Sequence, residues 1–402
     1  MLCLFDYNSM TGFATVSKNL VNNWKTIFGD NLKLDIVAVN YFGEDYSQGP
    51  NIRVISAKKK DVAKDDFGRY VFMRSLMDID YDLIFIIQDL GVIVPAIPHI
   101  KKIYDEKKEA KRKLFKSIFY FPVDFALTPN LVVGIEFFDQ LVTYTEYGRK
   151  MFLNLRPDLK HKLKVIPHGN NMKNFYPITP EEKKAFKKEY FGKNADKFII
   201  GNINRNQSRK DIPTTIFGFM EYWETHNKDA FLYLHMDAKD PMGWDLRTIL
   251  KQTPLVEGEH YQLVDFQDYK GTPIETMNKI YNSLDVFLTT ATGGGWELTV
   301  TEAMSCYVPC IIPKHTSFEI LGGANGERAF YIETLYPIVA MVDNIIRFQS
   351  DLYEISDLLH FIHENYNSTD VFNKTQKAFE FVQSLDWKDI SKKFADDIKK
   401  LG

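Results

Sequence analysis

The chain has 402 residues, 45% of them hydrophobic and 26% charged, with a net charge of -3. That length exceeds one ordinary domain, and the apolar fraction supplies two cores and excludes a disordered chain. Three cysteines, Cys3, Cys306 and Cys310, stand in apolar contexts and give no disulfide framework. They read as small buried hydrophobes of a reducing compartment, and no nearby Cys or His completes a metal set of four. No apolar run reaches the roughly 18 residues of a membrane span, and Met1 to Asp6 is too short and acid-ended for a signal peptide. A cytoplasmic protein, at most peripheral to a membrane, is expected.

Taken in order, apolar runs occur at Leu2–Phe5, Leu34–Val39, Ile52–Ile55, Leu83–Gln88, Ser117–Pro122, Gln140–Tyr144 and Leu163–Ile166. Helical patterns lie between most of them, over Ala14–Phe28 and Ile100–Lys113, with Pro98 as a stop before the second. Several runs are continuous rather than alternating, as in strands buried on both faces. This is the βα pattern of a doubly wound parallel sheet. The first half is net basic, largely through the Lys- and Arg-rich run 101–116. That run reads either as a salt-bridged helix face or as a patch for an anionic surface or acceptor.

Pro167 to Pro177 is loop-like, and Thr179-Pro-Glu-Glu182 opens a Lys-rich helix with a capping box. The crossing into a second domain is expected near 167–180. The scheme then repeats. Strands are expected at Phe198–Ile203, Ala230–His235, Tyr261–Leu263, Val286–Thr289 and Cys310–Pro313. Helices are expected at Ile212–Thr225, Ile274–Ser283 and Val300–Cys306, and a helical tail over Thr369–Leu401 carries Trp387 on an apolar face.

Four segments can carry chemistry. In Gly201 to Asp211 a buried strand runs into a loop bearing Arg205 and Lys210, which could neutralise a diphosphate or simply be an exposed basic loop. In Thr289 to Met304 a strand leads to Gly293, Gly294, Gly295 and Trp296, whose backbone N–H groups could face phosphate or sugar, then to a helix start. Glu302 could accept from ribose hydroxyls, yet Thr299 and Glu302 also have capping-box spacing. In Asp6 to Ala14, Thr11 and Gly12 form a first βα turn that a phosphate could approach. Asp89 and Asp124 each stand at a strand tip, where a carboxylate can orient or deprotonate an acceptor hydroxyl or merely cap a turn.

The order of these pieces resembles the retaining glycosyltransferases of the GT-B fold, especially family 4. The shared features are Thr11-Gly12, then Val165-Ile-Pro167-His168-Gly169-Asn-Asn171, then Arg205 with Lys210 in an R-x4-K spacing. Trp296, Glu302-Ala-Met304 and Pro309 follow. The resemblance covers nearly the whole chain. It implies an α/β protein of two Rossmann-like domains facing a central cleft. The first would be an acceptor domain over 1–170, with a helix at about 385–402 packing back, and the second a nucleotide-sugar domain over 171–384.

The resemblance further implies sugar transfer from a nucleotide sugar to an acceptor hydroxyl, with retention and without a metal or other cofactor. Arg205 and Lys210 would carry the departing diphosphate, Glu302 the ribose, and Val264–Phe266 would flank the base. Asp124, Asp89, Tyr144, Glu146 and His168 would lie on the acceptor side. The acceptor would be a glycan, a lipid-linked sugar or a nucleic-acid base. One departure stands out. The family's first glutamate falls at Gly294, and Glu297 is available to take over its part in holding the sugar.

Other classes fit less well. Asp78-Ile-Asp80 has the spelling of a metal-dependent Asp-x-Asp motif but precedes a strand rather than following one. Neither a G-x-G-x-x-G after the first strand nor a P-loop is present. A non-catalytic nucleotide- or carbohydrate-binding protein is the alternative.

Overall fold

The computed structural model describes residues 1–57, 65, 67–226, 228–264, 271–339 and 344–402. The chain divides into two compact units, Met1–Gly169 with Trp387–Gly402, and Asn170–Asp386.

The first unit is built on β1 (Leu2–Asp6), β2 (Leu34–Val39), β3 (Tyr46–Ser47), β4 (Ile52–Ser56), β5 (Leu83–Ile87), β6 (Lys116–Phe121), β7 (Gln140–Thr143) and β8 (Leu163–Val165). Their order across the sheet is β3-β4-β2-β1-β5-β6-β7-β8, parallel except for the short β3 edge. Every residue of β1, β5 and β7 is buried, which is why Leu2–Phe5 and Leu83–Ile87 are apolar without alternation. Side chains such as Leu4, Ile86 and Phe119 fill one face of the core, each contributing on the order of 1.5–3 kcal/mol by leaving water. The sheet winds outward in both directions from β1, so its switch point lies between β1 and β5.

The helix Trp387–Leu401 belongs to this unit. The Trp24 Nε1–H donates to the Ser391 carbonyl at 3.2 Å, and Phe394 packs on Phe85 and Tyr120. Asp397 accepts from Gln140 and pairs with Lys164. Gly169 is held to glycine because a Cβ there would run into the Trp387 ring.

The second unit carries β9 (Phe198–Asn202), β10 (Ala230–His235), β11 (Tyr261–Val264), β12 (Val286–Leu288), β13 (Cys310–Pro313) and β14 (Phe330–Ile332), all parallel, in the order β11-β10-β9-β12-β13-β14. Its switch point lies between β9 and β12. A separate antiparallel hairpin, β15 (Thr334–Val339) with β16 (Ile346–Ser350), follows. The helix Pro180–Phe191 starts with the expected reciprocal Thr179–Glu182 capping box.

Several expectations change in detail. Pro98 does not stop a helix but sits in the first turn of Ile97–Glu109, where a missing N–H costs nothing. The tail is two helices, Thr369–Gln383 and Trp387–Leu401, and a further helix spans Leu352–Glu364. The capping box assigned to Thr299 and Glu302 does not form. The helix is Leu298–Ser305 with Glu297 at its N-cap, so Thr299 is already inside it and its hydroxyl donates to Asn204 instead.

The 101–116 run is largely ion-paired, its first part on the helix Ile97–Glu109 and Lys116 at the start of β6. Lys101 meets Asp105, Lys102 meets Glu106, Lys107 and Arg112 share Asp80, Lys113 meets Asp82, and Lys116 meets Asp139. Asp80 of the Asp-x-Asp spelling is thereby spent on a structural ion pair. The three cysteines are buried and unlinked, and burial lifts the Cys3 thiol to about 12. No helix among the described residues is long and apolar enough to cross a membrane.

Candidate active site

In the second unit the chemistry-bearing segments leave the carboxyl ends of β9 and β12, on either side of the switch point. Two threonines stitch them together. Thr290 Oγ1 donates to the Asp211 carbonyl at 2.8 Å, while the Thr292 N–H and hydroxyl both donate to the Arg209 carbonyl, at 2.8 and 3.1 Å. Asp211 takes a left-handed φ of 45°, closing the turn before the helix Ile212–Thr225.

This stitching brings Lys210 onto Glu297. Their side chains form an ion pair and are only 7% and 4% exposed. Arg209 lies on the other side, with Nη1 donating to the Gly293 carbonyl at 3.2 Å and 3.7 Å from Glu297 Oε1. Glu297 Oε1 has no hydrogen-bond partner among the described residues although it is buried. Such an acceptor costs free energy until something donates to it.

Gly294 is required here for space rather than for φ. A Cβ at 294 would collide with the Glu297 carboxylate. The carboxylate of residue 297 therefore occupies the room beside 294 that a side chain at 294 would need. The expectation of open backbone N–H groups along the glycines is corrected at Gly294. Its N–H donates to Thr316 Oγ1 at 3.3 Å, and its carbonyl accepts from the Ser317 N–H. Thr316 is held at φ 51°, a strained position for a branched residue, beside His315. Burial lowers the His315 imidazole to about 4, so it is neutral near pH 7. Sequence reading missed His315 and Thr316, because nothing in their spacing marks the end of β13 as part of this site; Thr290 and Thr292 lay inside the segment it named, but without a role.

Glu302, one turn inside the following helix, accepts from the Tyr281 hydroxyl at 2.6 Å. Burial raises its carboxyl to about 7, the tyrosine hydrogen bond offsetting only part of that. Trp296 is buried beside the glycines.

Arg205 does not join this cluster, which corrects the expectation that it converges there with Lys210. Its guanidinium forms two hydrogen bonds to Asp240, at 2.6 and 3.3 Å, in the loop after β10. Asn206 bonds the same loop at the Asp237 and Trp244 carbonyls. The segment expected to flank the base, 264–266, lies outside the described residues beyond Val264.

In the first unit, Thr11 N-caps the helix Gly12–Phe28, accepting from the Ala14 N–H, and donates to Asp6 Oδ1 at 2.9 Å. Asp6 also accepts from Ser9 and Asn40. The Thr11–Gly12 turn follows β1 and exposed Asp89 follows β5, so both flank this unit's switch point. Asp124 follows β6 and is half-buried. Glu146 is exposed and pairs with Arg149.

His168 is not on an accessible surface, contrary to expectation. It is 3% exposed, its Nδ1 lies 2.7 Å from the Tyr120 hydroxyl, and its ring stands against Tyr144 and Trp387. Burial drops it to about 3, as for a neutral core histidine. Tyr144 is likewise corrected to a buried position, 2% exposed, because its ring is wedged between Tyr120 and His168.

No protein-family model matches the chain. A probable sucrose-phosphate synthase of Thermosipho melanesiensis is 25% identical over 216 residues, which is 50% of this chain and 45% of that relative. The chain thus matches less than half the length of that relative. Among solved structures, sucrose-phosphate synthase from Thermosynechococcus elongatus superposes with a TM-score of 0.71 at 14% identity, covering 100% of this chain and 98% of that one. Anabaena HepE in complex with UDP-glucose gives 0.67 at 13%, covering 99% of each. An E. coli trehalose-6-phosphate structure bound with UDP-2-fluoro glucose gives 0.68 at 13%, covering 99% and 98%. The architecture, two Rossmann-like units matched over their whole length by these proteins, is the GT-B fold of glycosyltransferases.

Proposed function

We propose that this chain is a glycosyltransferase that moves a sugar from a nucleotide-sugar donor to an acceptor hydroxyl. One observation carries the reading. Lys210, Arg209 and Glu297 are gathered with the glycine loop at the switch point of the second sheet, where ligands of open α/β sheets bind. Cations there would stabilise charge growing on the departing diphosphate, which is commonly worth a few kcal/mol per donor. Glu297, with its unsatisfied Oε1, would accept from a hydroxyl of the transferred sugar, and Glu302 from the ribose. Trp296 and Gly293 to Gly295 would line the donor.

On the first unit, Asp124 would orient or deprotonate the acceptor hydroxyl. Asp89 and Glu146 are further acceptor contacts. Retention of configuration and independence of a metal are part of the proposal, the latter because Lys210 and Arg209 flank the single Glu297 carboxylate and leave one net positive charge there. The acceptor is proposed to be a glycan, a lipid-linked sugar or a nucleic-acid base, and the site of action the cytoplasm. Contact of 101–116 with an anionic surface would rest on little net charge, because most of its cations are paired.

The test is a panel of UDP-, GDP-, ADP- and CMP-sugars, UDP-glucose first, read by thermal stabilisation and by donor hydrolysis with EDTA present. At least one is expected to stabilise the protein and to be consumed, and NMR of the transfer product reads its anomeric configuration. Stabilisation without any turnover favours a binding protein, and no stabilisation by any sugar nucleotide refutes the donor site.

A further inference from the structure

We propose that the outward face of the β15–β16 hairpin is a docking surface for a second copy of this chain. The inference stands apart from the donor site and assumes nothing about the reaction.

The hairpin has two unlike faces. In its register Pro337 lies opposite Phe348 and Val339 opposite Ile346, so these four side chains share one face. On the other face Ile338 lies opposite Arg347 and Tyr336 opposite Gln349. That second face is turned to the protein. Arg347 is buried, and Gln349 Nε2 donates to Thr214 Oγ1 at 2.9 Å and to Asp211 Oδ2 at 3.2 Å. The first face is turned to water. Val339 and Ile346 are each 62% exposed and Phe348 46%, and Pro337 and Leu335 are exposed beside them. A two-stranded sheet is marginal in water unless something packs on it, and a contiguous apolar face of this kind marks a contact surface.

The chemistry of the face selects its occupant. Among the described residues it carries no charged side chain, so two copies can meet about a two-fold axis without opposing like charges. The exposed apolar surface of Leu335, Pro337, Val339, Ile346 and Phe348 comes to roughly 500 Å². A standard interface buries about 800 Å² per partner, a little over half of it apolar, so the patch supplies the apolar share of a stable dimer. A lipid surface is the poorer match. Segments that seat on membranes place Lys or Arg beside their apolar face. Here the hairpin's one cation, Arg347, is buried on the opposite face, and the flanking Glu333, Asp351 and Glu354 are acidic. Pro337 brings no N–H to a strand added along its edge. Two hairpins are therefore expected to pack face to face as a small sandwich.

The test is analytical ultracentrifugation of the full chain over a dilution series through the micromolar range. Wild type is compared with the Ile346→Glu/Phe348→Glu double variant and with Val133→Glu, a control at an exposed apolar residue of the first unit. Wild type and the control are expected to sediment as dimers that dissociate on dilution, and the double variant to dissociate roughly tenfold more readily or more. Circular dichroism checks that the variants fold. Should the double variant fail to fold, hydrogen exchange of wild type decides, because the amides of Thr334–Val339 and Ile346–Ser350 are expected to exchange more slowly at high protein concentration. A wild-type monomer at every concentration, with exchange independent of concentration, overturns the proposal, and so does a dimer that the double variant keeps intact. A wild-type monomer that binds phosphatidylcholine–phosphatidylglycerol vesicles, with binding lost in the double variant, overturns it in favour of a lipid surface.

Discussion

Consider replacing Lys210 by Met. The substitution keeps the length of the chain but leaves the Glu297 carboxylate, 4% exposed, without its ion-pair partner. Removing one member of a buried pair commonly costs about 3–5 kcal/mol. Arg209 at 3.7 Å from Oε1 offsets part of this, so a loss of about 2–4 kcal/mol is expected. For a unit the size of Asn170–Asp386, that corresponds to a fall of roughly 5 to 15 °C in melting temperature. Glu297→Gln, which leaves the cation behind, should cost less because an amide still accepts from Lys210. The double variant removes both charges, and about 1–3 kcal/mol of coupling should appear as a recovery over Lys210→Met alone. Urea unfolding of all four proteins, followed by tryptophan fluorescence and by circular dichroism, measures the cycle. Strictly additive losses would show that the two side chains do not share a buried pair, and the picture of a preassembled charge cluster would be withdrawn.

Glu302 gives a pH prediction. Its folded carboxyl lies near 7, above its ordinary value of 4.5, so the folded state binds the proton more tightly than the unfolded one. The stability this contributes is present below about 4.5 and is lost as pH rises through about 7. Glu302→Gln should therefore gain thermal stability on wild type as pH rises from 5 to 8. A difference in melting temperature that stays flat over that range refutes the shift. Gly294→Ala places a methyl group against the Glu297 carboxylate and should cost on the order of 1–3 kcal/mol. A variant as stable as wild type in thermal unfolding would mean that the loop has room to spare. Asp124→Asn should leave sugar-nucleotide affinity unchanged and slow transfer by roughly 100-fold or more, within the usual worth of a general base. Unslowed transfer rules out its part in the chemistry. Trp387→Ala, which empties the space between Gly169 and the His168 ring, should cost about 3–5 kcal/mol in the first unit. A loss below 1 kcal/mol would show that the last helix is not part of that core.

The parallel sheets were legible because strands buried on both faces leave unbroken apolar runs; Leu34–Val39 and Ala230–His235 end where the runs end. Helices with one apolar face, Ile212–Thr225 and Ile274–Ser283, were equally plain. The hairpin was not. Thr334–Val339 carries Pro337, which argues against a strand, and its Leu335, Tyr336 and Val339 are exposed, so no inside-outside alternation marks it. At the site, strand-end position pointed to Lys210, Glu297 and the glycines as members of one segment pair. It could not show that Arg205 pairs with Asp240 while Arg209 lies by Glu297, because that depends on which neighbouring strand each side chain faces.

Local sequence by itself determined which stretches become strand and helix, and hence the two βα series. Those follow from burial of apolar runs and from capping, interactions that act within a few residues. Only the tertiary structure decided which polar groups are spent and which are left to act. It bound Arg205 to Asp240, sank His168 and Tyr144 into the first unit, and set Glu297 between Arg209 and Lys210 with one oxygen unsatisfied. Those outcomes come from contacts between residues distant in the chain. A side chain's charge and hydrogen-bonding capacity can be read from its type, but its partners are fixed by the packing of the sheet order.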